Sequence, residues 1–144
     1  MSNTPKYKKS PIDSKNPRVL KLPENINDMH PAWRLSIMDH RGFVGWDNIT
    51  TDIFLSKVLP KIKNFETMTW ISIKQNGSHP VAINHLCKKA RDRLQEIKLE
   101  DLDDLFSLRL EGELRIWGIL EMNILKILWY DPEHLVCPST LKHT

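Results

Sequence analysis

The chain has 144 residues, 40% hydrophobic and 27% charged, with a net charge of +3, which fits one domain around a single core and excludes a fibrous or wholly disordered protein. No apolar run approaches the roughly 18 residues of a membrane span, and Met1–Lys15 lacks the apolar stretch of a secretory signal, so the expectation is a cytoplasmic protein with no membrane partner. Its two cysteines, Cys87 and Cys137, are too few for a disulfide framework, and reduced thiols are expected.

Residues 1–27 contain Pro5, Pro11, Pro17 and Pro23 among Lys, Ser and Asn, with little that packs, and read as a disordered or extended arm. The basic excess lies there: residues 1–24 hold six basic against two acidic side chains, whereas the remainder holds 15 against 16. Such an arm suits phosphate contacts or an acidic partner, or serves only as a solubilising tail. Residues 28–144 read as a single α+β domain.

Trp33–Asp39 alternates apolar and polar residues, the period of a half-buried strand. Gly42 and Gly45 punctuate a loop holding Phe43 and Trp46. Thr50 or Thr51 then caps a helix that turns Ile53, Val58, Ile62 and Phe65 inward, with Pro60 kinking it or splitting it in two. Thr67 or Thr69 caps a shorter helix with Trp70, Ile71 and Ile73, stopped by Asn76-Gly77. After a Gly-Ser-His-Pro loop, Ile83, Leu86, Ala90, Leu94 and Ile97 recur at helical spacing over 83–98, with Lys88, Lys89, Arg91 and Arg93 on other faces. An acidic turn leads to three strands, Leu105–Leu110, Glu113–Leu120 and Ile124–Tyr130, joined at Gly112 and at Met122-Asn123 and ended by Asp131-Pro132. The expected fold is α+β: an N-terminal strand, two to three helices, then a three-stranded antiparallel meander with the helices packed on one face.

If Leu108, Leu110, Leu114 and Ile116 face those helices, Arg109, Arg115 and Trp117 share the opposite face. Two guanidiniums beside an indole suit a phosphate with a stacked base; alternatively the arginines merely pair with Glu111, Glu113 or the acidic turn. Cleavage of RNA by internal attack needs a base, an acid and a cation. His134 and Tyr130, just after and at the end of the last strand, are the candidate proton-transfer groups, with Lys126 nearby. His143, Lys88 and Arg91 are further candidate RNA contacts. The helices over 67–75 and 83–98 also imitate a helix-turn-helix, which keeps DNA binding open. The His and Cys spacings match no zinc pattern, and no phosphate loop or nucleophile elbow is present, so neither metal nor cofactor is expected.

The stretch from Leu105 to Gly118, with Arg109 and Arg115 on its strands, resembles the central hairpin of the RelE/YoeB/HigB group of ribosome-dependent RNA-cleaving toxins. Ile127-Leu128-Trp129-Tyr130-Asp131-Pro132-Glu133-His134 is similar to that group's last strand and functional tail. The similarity spans about residues 83–134. It implies a metal-free endoribonuclease with Arg109, Arg115, Tyr130 and His134 as catalytic groups, with RNA, the ribosome and a cognate antitoxin protein as partners. The N-terminal arm, the Pro60 helix and the segment after His134 depart from the group's compact plan. The Asp-Pro-x-His ending also resembles one in a widespread set of uncharacterised bacterial and phage proteins, which implies no activity. The competing expectation is a non-catalytic nucleic-acid-binding or protein-interaction module, the latter using Phe43 and Trp46.

Overall fold

Gly112 at φ +53° and Met122 at φ +56° take the left-handed conformation that closes tight turns, and they fold residues 104–131 into consecutive hairpins. The strands are β3 (Asp104–Glu111), β4 (Leu114–Glu121) and β5 (Ile124–Asp131), each close to its expected bounds. The structure, a computed structural model, describes residues 25–138; the arm before Asn25 and His143 lie outside the described residues. The arm's last residues are described and tied down. Asn25 caps a turn at Ile26–Asp28, and Lys74 Nζ donates to Asn27 Oδ1 at 2.8 Å.

Two more strands extend the meander to a five-stranded mixed sheet ordered β1-β5-β4-β3-β2, a correction to the three-stranded expectation. β1 (Ala32–Arg34) lies parallel to β5, and β2 (His79–Ala82) runs antiparallel to β3. β1 is shorter than its alternation implies because the chain turns at once, Met38 N–H donating to Leu35 O at 3.1 Å. β2 occupies the Gly-Ser-His-Pro segment that reads as a loop. Pro80 is tolerated there because β2 is an edge strand, whose outer side needs no donor for a ladder.

Thr50 caps α1 (Thr51–Ile53), which runs through a π turn at Phe54–Val58 into α2 (Leu59–Phe65). Pro60, lacking an N–H, sits at the second position of α2, and the wide turn before it divides the helix as expected. Thr69 caps α3 (Trp70–Gln75) by accepting from Ser72 N–H. α4 (Lys88–Glu96) is shorter than the periodicity over 83–98 predicts. Ile83–His85 forms a separate turn, and Leu86 and Cys87 are extended, with ψ of 157° and 163°. Among the described residues no helix is long and apolar enough to cross a membrane.

Both faces of the sheet are covered, which corrects the expectation of helices on one side. α2 and α3 bring Phe65, Trp70 and Ile73 against Phe106, Leu108, Ile116, Leu125 and Ile127. α4 brings Ala90 and Leu94 against Leu105, Trp117, Leu128 and Trp129 on the opposite face. Strands buried on both sides carry apolar residues in both registers, so period two alone cannot say which face is wet. A bulge opposite Trp117/Gly118 admits the extra residue Leu128, and so Leu128 and Trp129 both enter the second core. Gly118 is required there, since a Cβ would lie 2.3 Å from Lys126 O.

Candidate functional site

At the Gly112 end of the sheet the cross-strand row is Arg109, Arg115 and Asp131, on β3, β4 and β5. Like charges directly opposite each other in a ladder repel. The pKa of Arg115 is lowered, chiefly by burial and then by the charge of Arg109, with Asp131 and Glu113 opposing. The acidic partners expected for these arginines are engaged elsewhere or too distant. Glu111 pairs with Lys57 at 3.2 Å, and Arg115 Nη1 donates to the backbone oxygens of Gly112 at 2.7 Å and Leu114 at 3.3 Å. Among the described residues neither arginine forms an ion pair within 4.0 Å.

Asp131, beside Arg115, is fully buried. Its carboxylate accepts from Trp117 Nε1 at 3.0 Å, Leu135 N–H at 2.8 Å and Val136 N–H at 3.0 Å. These bonds fold the chain after β5 back over the end of the strand. His134 stands in that turn at φ +61°, an uncommon conformation for a side chain other than glycine. The turn thus holds an imidazole at the end of the strand that carries Asp131, the neighbour of Arg115.

On the other side, Arg109 N–H donates to the buried Ser78 Oγ at 2.9 Å, and its side chain lies along Gly77. Gly77 ends α3, as its sequence implies, at φ +104°. It also makes room: a Cβ there would sit 3.1 Å from Arg109 Cδ and 3.2 Å from Nη1. Arg109 borders an open hollow of about 350 Å³ that Lys61, Asn64 and Asn76 also line. The sequence gives no signal for Lys61, which arrives from a separate helix.

The remaining expected site residues do not join this cluster. Trp117 is 1% exposed in the second core, so its ring cannot stack on a base. α4 and the segment after β5 cover the face that the sequence seemed to leave open. Tyr130 belongs to the first core, on the opposite face from Arg115, with its ring 5.5 Å from Trp46; burial raises its pKa. Lys126 lies towards the other end of β5 and pairs with Glu121 at 2.9 Å. On α4, Lys88 pairs with Asp92 at 2.8 Å, and Arg91 Nε donates to Leu86 O at 3.1 Å. No group of three or more His, Cys, Asp or Glu side chains among the described residues is placed to hold a metal ion.

Trp117→Phe should destabilise the fold by about 1–3 kcal/mol in a denaturant titration, because one bond to a buried carboxylate is lost. It should leave anion binding at the arginines unchanged, whereas a base-stacking role would weaken binding in a filter assay.

A second charged cluster is structural. Asp39, in the loop after β1, accepts from Arg93 Nη2 at 2.7 Å, Arg93 Nε at 2.9 Å and Trp129 Nε1 at 2.8 Å. It ties the loop, α4 and β5 together, and the hydrophobic pattern gives no hint of it.

The family model of uncharacterised protein UU032 matches residues 46–144, which include Arg109, Arg115 and His134. No curated protein and no solved structure matches the chain.

Proposed function

We infer the function from the side chains of a chain that belongs to the uncharacterised protein UU032 family: it binds RNA with a phosphate at Arg109 and Arg115, and cleaves the backbone beside that phosphate without a metal. The observation that carries this reading is the arginine pair, two cations on partner positions of β3 and β4, neither with an ion-paired carboxylate within 4.0 Å among the described residues. A phosphodiester between them replaces repulsion by two charge-assisted contacts. The consecutive antiparallel strands β3, β4 and β5 are the part of the fold in keeping with the likeness to the RelE-type toxins; β2, between the helices, is outside that plan.

In this chemistry the RNA 2′-hydroxyl attacks the adjacent phosphorus and loses its proton. The bond to the 5′-oxygen breaks, and that oxygen takes a proton, leaving a 2′,3′-cyclic phosphate and a 5′-hydroxyl. The arginines stabilise the charge that builds on the phosphorane. His134 is the group for proton transfer, since Tyr130 is turned into the opposite core. The ribosome presents the messenger, and an acidic antitoxin covers the arginines when the activity is silent.

A second reading, RNA binding without cleavage, is favoured by one observation: with Tyr130 turned inward and Lys126 paired to Glu121, His134 is what remains of the expected proton-transfer groups among the described residues. Incubation of the purified protein with messenger RNA, with and without programmed ribosomes, separates the two. Cleavage with 2′,3′-cyclic phosphate ends is the expected result. Tight, salt-sensitive binding without cleavage establishes the second reading, and absence of both overturns the assignment to RNA.

A further inference from the structure

Cys87 and Cys137 meet where the start of α4 touches the segment that follows β5. Cys87 N–H donates to Val136 O at 2.8 Å, and the residue after that carbonyl is Cys137. Fixed bond lengths then hold the two Cα atoms within about 7 Å, against the roughly 4.4–6.8 Å that a disulfide spans. Both side chains pack against the same core cluster. Cys137 Sγ lies 3.5 Å from His85 O, so its sulfur points to the extended segment that carries Cys87. Cys87 occupies the N-cap of α4 but makes no capping bond with its side chain. Both cysteines are half-buried thiols. An open hollow of about 740 Å³, bordered by Cys137, His79 and His85, gives a small reagent access from the β2 side.

We propose that Cys87 and Cys137 are a modification site, closing into a reversible disulfide by exchange with a small disulfide of the glutathione class. One cysteine, as thiolate, attacks a sulfur of the small disulfide, breaks its S–S bond and releases one thiol. The other cysteine then attacks the mixed disulfide at the protein sulfur and releases the second thiol. The protein gives up two electrons and two protons, and the small disulfide takes them as two thiols. The bond closes a ring from residue 87 to residue 137 that contains β3, β4, β5 and the His134 turn. It pins covalently the segment that the bonds to Asp131 and the burial of Val136 already hold. A native-like crosslink of this kind raises stability because the unfolded chain loses freedom that the folded chain lacks already.

The test is independent of RNA. The native full chain is incubated with oxidised glutathione, quenched by alkylation at low pH, and read by intact mass, peptide mapping and thermal melting. The expected product is a monomer lighter by two hydrogens, with Cys87 joined to Cys137 and Tm raised by roughly 5 °C or more; dithiothreitol reverses both. Cys87→Ser and Cys137→Ser should each keep a glutathione adduct and gain no Tm. Wild-type protein that ends with two glutathione adducts, an interchain dimer or two unreacted thiols overturns the proposal.

Discussion

Arg93→Ala should destabilise the protein by about 3–5 kcal/mol, the effect of removing one partner from a buried ion pair. Asp39 is 7% exposed, and Arg93 grips both its oxygens while Trp129 donates to one of them. Without the guanidinium, a carboxylate sealed beneath α4 keeps only Trp129 Nε1 at 2.8 Å and the longer bond from Arg41 N–H at 3.3 Å. Asp39→Asn should cost less, since the amide oxygen still accepts and the Arg93 side chain, 23% exposed, retains some solvent and its bond to Glu96. Gly42 belongs to the same arrangement: a Cβ there would sit 2.8 Å from Asp39 Oδ2 and 2.9 Å from Arg93 Nε. The bond from Arg93, reinforced by Trp129 and opposed by burial, lowers the Asp39 pKa from its ordinary 3.8 to about 2. A carboxyl whose folded-state pKa is depressed stabilises fully above its unfolded value. That stabilisation, here about 2 kcal/mol, is lost as the pH falls from 3.8 through 2. Denaturant titrations between pH 5 and pH 2 should therefore show a loss in the wild type that is absent in Asp39→Asn. Equal pH slopes in the two proteins would remove this role from Asp39.

The contrast between that network and the hairpins shows what the sequence made readable. Gly112 and Met122-Asn123 mark turns by local chemistry, and β3, β4 and β5 fall close to their expected bounds. Thr50 and Thr69 do cap helices, and Ala90 and Leu94 do face the sheet, because caps and helical periodicity are local signals; Leu86 reaches the same core from an extended segment. β2 was hidden because Gly, Ser, His and Pro form a turn as readily as an edge strand. The covered second face was hidden because Leu105, Trp117 and Trp129 are buried by residues distant in the chain. The same long-range packing decides the site. Arg109 and Arg115 are paired by the hairpin that joins their strands, which sequence spacing anticipates. Tyr130 and Trp117 depend on which face receives α4, which spacing does not determine. The bulge at Leu128 adds to this, since one inserted residue changes which side chains share a face.

Alanine at Arg109 or at Arg115 should lower RNA cleavage about 10²–10³-fold, on the order of 2.7–4 kcal/mol, by analogy with other preorganised groups that stabilise an oxyanion. The phosphorane carries more negative charge than the diester from which it forms, so a fixed cation stabilises the transition state more than the bound RNA. Arg115→Lys should restore part of the activity, because lysine supplies charge without the planar fork that grips two oxygens. The fold should not suffer from the change at Arg109, whereas Arg115→Ala also loses the bonds to Gly112 O and Leu114 O. Removing either arginine relieves repulsion across β3 and β4, so Arg109→Ala should match or slightly exceed wild-type stability in a thermal melt. This separates a binding role from a structural one, in which activity and stability would fall together. Each variant should also flatten the dependence of RNA affinity on salt, since one fewer phosphate contact releases fewer counterions. His134→Asn, chosen because asparagine tolerates the left-handed backbone at φ +61°, should slow cleavage while leaving affinity nearly unchanged. Cleavage on programmed ribosomes, RNA binding at several salt concentrations and circular dichroism are the measurements. A folded Arg109→Ala, Arg115→Ala double variant with full activity would place the site elsewhere on the molecule.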